Sequence, residues 1–224
     1  MDIQVSLRGG LLIGGGSVPV ALGVDRSTIH RVDGTFLIPG SAFKGKVRNG
    51  CEQVARSLEI ALCISPTPDL MCPHYWLRTG EPARFCIVCE IFGSPWRPSA
   101  LHFSDLLWTQ PKEISRQEWS RLPKTHIRPS VALTRHRRVA SSQRLFFSET
   151  VLGGTEAVFV GNISGDLPTE RHLALLLLGI HSLYAVGGTK SRGLGWINND
   201  PAARPYVLVE PTEFSLEKVV EQWL

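Results

Sequence analysis

The sequence has little bulk charge of either sign and no long apolar run. Its 24 basic residues exceed its 20 acidic ones by a formal net charge of only +4, so overall charge does not mark a nucleic-acid-binding protein. The longest apolar stretch, Leu173 to Ile180, is too short to span a bilayer. The opening MDIQVSLRGG is acidic and then polar, unlike a secretory signal. We therefore expect a cytoplasmic protein with no membrane segment.

Cysteine is also scarce, and its few residues are concentrated in one part of the chain. Of the 5 cysteines, four fall between Cys63 and Cys89, which in a reducing compartment favours a metal site or core packing over disulfides. Five of the histidines show no spacing typical of a metal or acid–base pair, namely His30, His126, His136, His172 and His181. No Walker loop, repeat or low-complexity tract is present. The chemistry of the chain must therefore be sought in its cysteine-rich and basic segments.

The remaining composition is typical of a compact protein. Hydrophobic residues make up 43% and charged residues 20% of the chain, enough apolar material for one core. The alternation in IQVSLRG predicts a strand. Phe43, Val47 and Leu58 recur at helical spacing, so we predict a helix from about Ala42 to Leu62, with Ser41 as its N-cap. A single domain over residues 1–224 follows.

The second half of the chain predicts further strands and a second helix. LFFSETVL and TEAVFVGNI read as two strands joined into a hairpin by Gly153 and Gly154. Helical spacing predicts a helix over Glu170–Val186, ended by Gly187 and Gly188. GTKSRGLGWI then reads as a glycine-rich loop entering a strand. The order strand, helix, strands, helix, strand predicts an α+β, ferredoxin-like (RRM-like) fold with insertions.

Residues 63–98 read as an inserted subdomain held by something other than a hydrophobic core, because the segment is rich in Pro, Cys and Gly. The Cys86-x2-Cys89 spacing lets two thiolates reach one tetrahedral ion. Cys72 and either Cys63 or His74 complete four ligands. Such a closed set predicts structural rather than catalytic zinc. Cys51 lies within the first helix, so we expect it in the core.

Three basic segments are candidates for contact with phosphate. The first segment, IPGSAFKGKVRNG, leads into the first predicted helix. The start of this helix can attract phosphate through its free amides, its dipole and its cations. The second segment lies in the glycine-rich loop, and the third precedes the strand at LFFSETVL, within an acid-free stretch from Arg128 to Arg144. The alternative for each is an ordinary solvated surface. The candidate RNA-binding residues are Ser41, Lys44, Lys46, Arg48, Arg135, Arg137, Arg138, Lys190 and Arg192.

Four segments in this order resemble the RAMP superfamily of CRISPR systems, and especially the backbone subunit of type III effectors. They are IPGSAFKGKVR, CIVCEIFGSP, RLFFSETVLGGTEAVF and GGTKSRGLGWI. The resemblance implies a RAMP fold with a zinc-bound insertion and a β-hairpin thumb, here the basic region 125–150. It also implies a subunit of an antiviral ribonucleoprotein complex. Its implied partners are CRISPR guide RNA, target RNA, other copies of the chain and other effector subunits.

The resemblance further implies a catalytic aspartate in the loop before the IPGS helix, which would cleave target RNA with Mg or Mn. Asp25 matches that position best. Asp33 is the fallback, although with Gly34 it reads more readily as part of an Asp-Gly turn. Two alternatives stay open at this point. One is a non-catalytic scaffold that recruits a separate nuclease, and the other is a CRISPR RNA processing endoribonuclease.

Overall fold

The computed structural model describes residues 1–14, 24–109, 115, 117, 124–152 and 158–198, and the backbone of residues 206–208. Helices and strands are interspersed along the chain, with two short 3-10 turns at Pro68–Leu70 and Lys190–Arg192. The elements in order are β1 Asp2–Ser6, β2 Leu37–Ile38, α1 Gly40–Ser57, α2 His74–Arg78, α3 Ile87–Phe92, β3 Leu101–Phe103, β4 Leu106–Thr109, β5 Thr125–Leu133, β6 Ala140–Val151, β7 Val158–Gly165, α4 Glu170–His181 and β8 Tyr206–Leu208.

The main sheet is antiparallel and has the strand order β2-β4-β7-β1-β8, with β3 also paired to β7. Val5 lies opposite Phe159 where β1 meets β7. In β1, Ile3 and Val5 are buried while the residues between and before them are exposed, which confirms the predicted alternation. The sheet thus buries one face beneath the helices, as an α+β layer requires.

Helix α1 confirms the predicted element but not its ends, since it runs over Gly40–Ser57 rather than Ala42–Leu62. Ser41 is therefore not the N-cap: it lies in the first turn and is exposed. The helix stops early because Glu59 adopts a left-handed φ of 57°. Its N–H bonds the carbonyl of Arg56, and the N–H of Ile60 bonds that of Ala55. This closure is a Schellman motif without its usual glycine.

Helix α4 begins where predicted and ends five positions before the predicted Val186, at His181. The chain beyond is extended: Ala185 bridges Trp196, and the N–H of Val186 bonds the carbonyl of Gly195. Tyr184 thus matches the helical spacing without being helical. The two long helices pack closely, because a Cβ on Gly50 would lie 2.5 Å from the carbonyl oxygen of Gly179.

Strands β5 and β6 form a separate two-stranded sheet, the hairpin, with Thr125 opposite Val151 and Val131 opposite Leu145. Within the described residues, the predicted runs LFFSETVL and TEAVFVGNI contribute to β6 and β7, respectively. The prediction that they pair with each other was wrong, because β7 pairs with β1, β3 and β4. Phe159 and Ile163 of β7 are buried in the main core, whereas in β6 only the last two residues, Thr150 and Val151, are buried. Residues 153–157, which hold the predicted glycine turn, lie outside the described residues.

Within the described part of the chain, no helix combines the length and apolar character needed to cross a membrane.

Candidate metal centre and nucleic-acid interface

Four cysteines of the region 63–98 converge at one point. The sulfur atoms of Cys63, Cys72, Cys86 and Cys89 all lie within 4.8 Å of one another, and all four residues are buried. Cys63 Sγ is 3.7 Å from Cys86 Sγ and 3.5 Å from Cys89 Sγ. A tetrahedral zinc ion bound at about 2.3 Å places its sulfur ligands about 3.8 Å apart. The cluster can therefore hold a metal ion such as zinc.

His74 does not take part in this cluster. It begins α2, and its ring centroid lies 3.9 Å from that of Trp96, so the imidazole packs against an aromatic ring. Of the two residues considered for the fourth ligand, the fold brings Cys63 beside the other three. A set of four sulfurs and no histidine is a donor set that zinc accepts.

Several N–H groups around the cluster donate to its sulfurs. Cys72 Sγ accepts from Trp76 Nε1 at 3.1 Å and from the backbone N–H of Cys86 at 3.3 Å. The hydrogen bond between Cys63 and Cys86 lowers the pKa of Cys86 and raises the pKa of Cys63, so a single thiolate of the metal-free cluster lies on Cys86. Donors of this kind stabilise the thiolate form that a metal requires. The surroundings of the cluster thus fit a metal ligand set.

Arg48 ties this cluster to α1. Its guanidinium lies 3.6 Å from Cys89 Sγ and donates to the carbonyl of Gly93 at 2.9 Å. It also bonds Glu52 at 3.0 Å, and Glu52 accepts from Ser65 at 2.6 Å. The hydrogen bonds and charges of Glu52 and Cys89 outweigh burial and raise the pKa of Arg48. Arg48 was predicted to bind RNA, but its cation already has partners inside the protein.

The start of α1 is also closed by the protein itself. Asp105 accepts a hydrogen bond from the N–H of Gly40 at 2.8 Å. A Cβ on Gly40 would lie 2.2 Å from the carbonyl oxygen of Phe103, so the helix start abuts the end of β3. The first helical amide, predicted to attract phosphate, therefore has an internal carboxylate partner. The cations Lys44 and Lys46 remain on this helix as half-buried side chains.

Lys46 of α1 and Lys190 of the glycine-rich loop lie close together, and we call them the lysine pair. Their ammonium groups lie 5.9 Å and 6.0 Å from the centroid of the Tyr184 ring. Burial, together with a hydrogen bond and repulsion from Lys190, lowers the pKa of Lys46 to about 8. Two like charges held side by side favour an anion between them. The fold thus unites two of the predicted basic segments.

Arg192 of the same loop faces the base of the hairpin across a groove of about 380 Å³. Arg128 donates to the carbonyl of Arg192 at 3.5 Å. Arg26, Phe146 and Leu12 also line this groove, which we call the arginine groove. Three guanidinium groups on one concave surface give it a positive charge that favours the binding of phosphate.

The other predicted arginines lie at the far end of the hairpin. Arg135, Arg137 and Arg138 are all exposed in the turn between β5 and β6. Thr134 closes that turn, with its N–H bonded to the carbonyl of Val139 at 2.9 Å. The predicted basic residues therefore form two separate groups, one at the body of the protein and one at the hairpin tip.

Asp25 is exposed and lies against β6 of the hairpin. Its carboxylate accepts the N–H of Phe147 at 2.7 Å, and its own N–H donates to the carbonyl of Phe147 at 2.9 Å. Asp33 instead accepts the N–H of Thr35 at 2.9 Å beside Gly34, whose φ is 80°. That hydrogen bond lowers the pKa of Asp33. The predicted Asp-Gly turn is confirmed, and Asp25 stays the candidate catalytic residue.

Sequence reasoning missed several residues of both sites. Trp76 donates to Cys72 Sγ, but Cys72 precedes α2, so the spacing of four positions was no reliable signal of this contact. The inward orientation of Arg48 and the positions of Arg26 and Arg128 carried none, because they depend on distant parts of the chain.

These features define a mixed α+β protein with antiparallel sheets, a four-cysteine cluster and a basic surface. A family model of the RAMP superfamily matches residues 5–198, and the chain belongs to that superfamily. The family indicates a CRISPR-associated RNA-binding subunit with RNA among its partners. Comparison with curated proteins gave no match. The resemblance to the superfamily is thus confirmed, while the type III backbone role stays a prediction.

Proposed function

We propose that this chain is a backbone subunit of a type III or type III-like CRISPR effector, in which copies of the chain assemble along the guide RNA. The observation that carries the proposal is the convergence of the lysine pair and the arginine groove on the body of a RAMP protein. Such cations neutralise phosphates without reading bases, and base pairing between guide and target supplies the specificity. In this proposal the main sheet with α1 and α4 is a ferredoxin-like RAMP fold.

The hairpin is proposed to act as the thumb. It forms its own two-stranded sheet, and it carries exposed arginines at its tip and exposed apolar side chains along its length. A surface of this composition suits a nucleic-acid duplex or a neighbouring subunit better than water. Arg135, Arg137 and Arg138 would contact phosphates there.

The proposal predicts salt-sensitive binding of single-stranded RNA that depends on the lysine pair. Replacing Lys46 or Lys190 by alanine is expected to weaken binding on the order of fivefold, because each lysine neutralises a phosphate. Each replacement should also reduce the slope of log affinity against log salt by about 0.7. Fluorescence anisotropy with a labelled oligonucleotide between low and moderate salt measures both quantities.

The matched control is Arg78→Ala, which removes an exposed cation of α2 outside both basic groups. It should leave affinity and slope nearly unchanged. An unaltered chain that shows no salt-dependent RNA affinity, alone or with its partner subunits, contradicts the proposed function. Specific cutting of repeat RNA by the lone chain in EDTA would instead favour a processing endoribonuclease.

We also propose that the four cysteines hold a structural zinc ion. When bound, the ion would cross-link the segments that contain Cys63, Cys72 and the α3 pair Cys86 and Cys89. Four protein ligands leave no open position for water, so the site does no chemistry of its own. Arg48 supplies a positive charge and a hydrogen bond to a ligand set that carries net negative charge.

Arg48→Gln is expected to lower the zinc affinity of the cluster by about tenfold or more, since outer-shell partners of a metal site commonly contribute that much. Arg56→Gln is the matched control, because Arg56 also lies on α1 and approaches Glu52 at 4.0 Å without a contact to Cys89. Competition against a chromophoric chelator measures the affinities. Equal zinc affinity in the two variants would show that the contact with Cys89 is unimportant.

A further inference from the structure

Two aromatic side chains are exposed next to the lysine pair. Tyr184 is 51% and Trp196 is 44% exposed. Their ring centroids are 6.1 Å apart at an interplanar angle of 67°. The indole N–H of Trp196 donates to the carbonyl of Lys190 at 2.9 Å, and the bridge between Ala185 and Trp196 fixes the backbone on which both rings stand. The aromatic pair is therefore ordered although it faces solvent.

The charge beside these rings is unbalanced. Lys46 and Lys190 both lie near Tyr184. Within the part of the chain that the structure describes, neither lysine forms a salt bridge with a carboxylate. Two ammonium groups without an acid, next to two exposed rings, complement a ligand that carries an anion and a flat apolar ring at once. A nucleotide of single-stranded RNA has that combination.

We infer that Tyr184 and Trp196 form a stacking site for a base of single-stranded RNA whose phosphate lies on the lysine pair. The inference rests on the proposed function and adds a contact with bases to contacts otherwise predicted only with phosphates. Because every base has an aromatic face, such a site accepts any sequence. It would orient a nucleotide without restricting which guide is bound.

The test compares two oligonucleotides of equal length and equal phosphate number, one with bases and one abasic. The unaltered chain is expected to bind the first about five- to tenfold more tightly, since base–aromatic stacking contributes on that scale. Trp196→Leu and Tyr184→Leu should each reduce that preference while keeping affinity for the abasic strand. Trp196→Phe retains a ring and should keep most of the preference. Lys46→Ala should weaken both strands alike.

Trp96→Leu is the matched control, because Trp96 is similarly exposed at 43% but packs on His74 in the region 63–98. It should leave the preference unchanged. Equal, salt-sensitive binding of both oligonucleotides by the unaltered chain would overturn the stacking site and leave the proposed function intact. If neither strand binds, both fail. A preference that survives both leucine replacements would place base contacts elsewhere and also overturn the inference.

Discussion

Removal of the metal from the four-cysteine cluster is expected to lower the melting temperature of the protein by about 6 to 12 °C. Structural zinc contributes roughly 10 kcal/mol or more in isolated peptides. If about 3 kcal/mol of this stabilises the intact chain, a shift of that size follows for its length. The helices of region 63–98 are short, at 5 residues in α2 and 6 in α3, so they depend on tertiary contacts. Scanning calorimetry before and after chelation measures the shift.

The double substitution Cys86→Ser/Cys89→Ser should reproduce this destabilisation and abolish bound zinc. Cys51→Ala provides the matched control. Cys51 is buried and donates to the carbonyl of Leu175 at 3.3 Å, so its replacement removes a buried thiol outside the cluster. It should lower the melting temperature only modestly and leave one zinc per chain. Purified protein without zinc, together with a normally stable double variant, would refute a structural zinc ion.

Asp25→Asn is expected to reduce cleavage of complementary RNA by the assembled effector about 100-fold or more, because a divalent ion near the scissile phosphate would lose its carboxylate partner. The asparagine still offers an oxygen to the N–H of Phe147, which Asp25 bonds at 2.7 Å. Loss of cleavage would therefore follow from the lost charge rather than from a displaced loop. The measurement is the rate of cutting at regular intervals in Mg or Mn.

Asp33→Asn is the control, because Asp33 serves the turn through its bond to the N–H of Thr35. It should cleave at the normal rate. Affinity for guide and target RNA should be unchanged in both variants. If Asp25→Asn cuts as fast as the unaltered complex, the catalytic assignment is wrong. An unaltered complex that binds target RNA and never cuts it would favour the scaffold that recruits a separate nuclease.

The parts of the fold set by local pattern were predictable from the sequence. The alternation in β1 and the start of α4 follow from hydrophobic periodicity, whereas α1 begins two residues before the predicted Ala42. The ends of both helices did not follow. Glu59 takes a left-handed conformation that usually signals glycine, and Tyr184 matched the helical spacing by coincidence. No local sequence pattern indicates the left-handed conformation of Glu59 or the end of α4 before Tyr184.

The remaining features could not be predicted, because they depend on contacts between segments that are distant in the sequence. Two glycines between β6 and β7 suggested a hairpin, yet the burial of Phe159 places β7 within the main sheet. The cysteine set was foreseeable from spacing, whereas the choice of Cys63 over His74 needed the fold. The orientation of Arg48 also needed the fold. Arg48 is close to Lys44 and Lys46 in the sequence, but its guanidinium points into the protein and contacts Cys89.

The close contact of α1 with α4 has a consequence for the proposed binding of RNA at the lysine pair. A Cβ on Gly179 would lie 2.2 Å from Cys51 Sγ, so the two helix backbones have no room to roll against each other. Lys46 lies on α1, and the loop that contains Lys190 follows α4 in the chain. Their backbones are thus held in register before any ligand arrives. The proposed binding of RNA would then need little further ordering of the main chain, because a preorganised surface loses less entropy on binding.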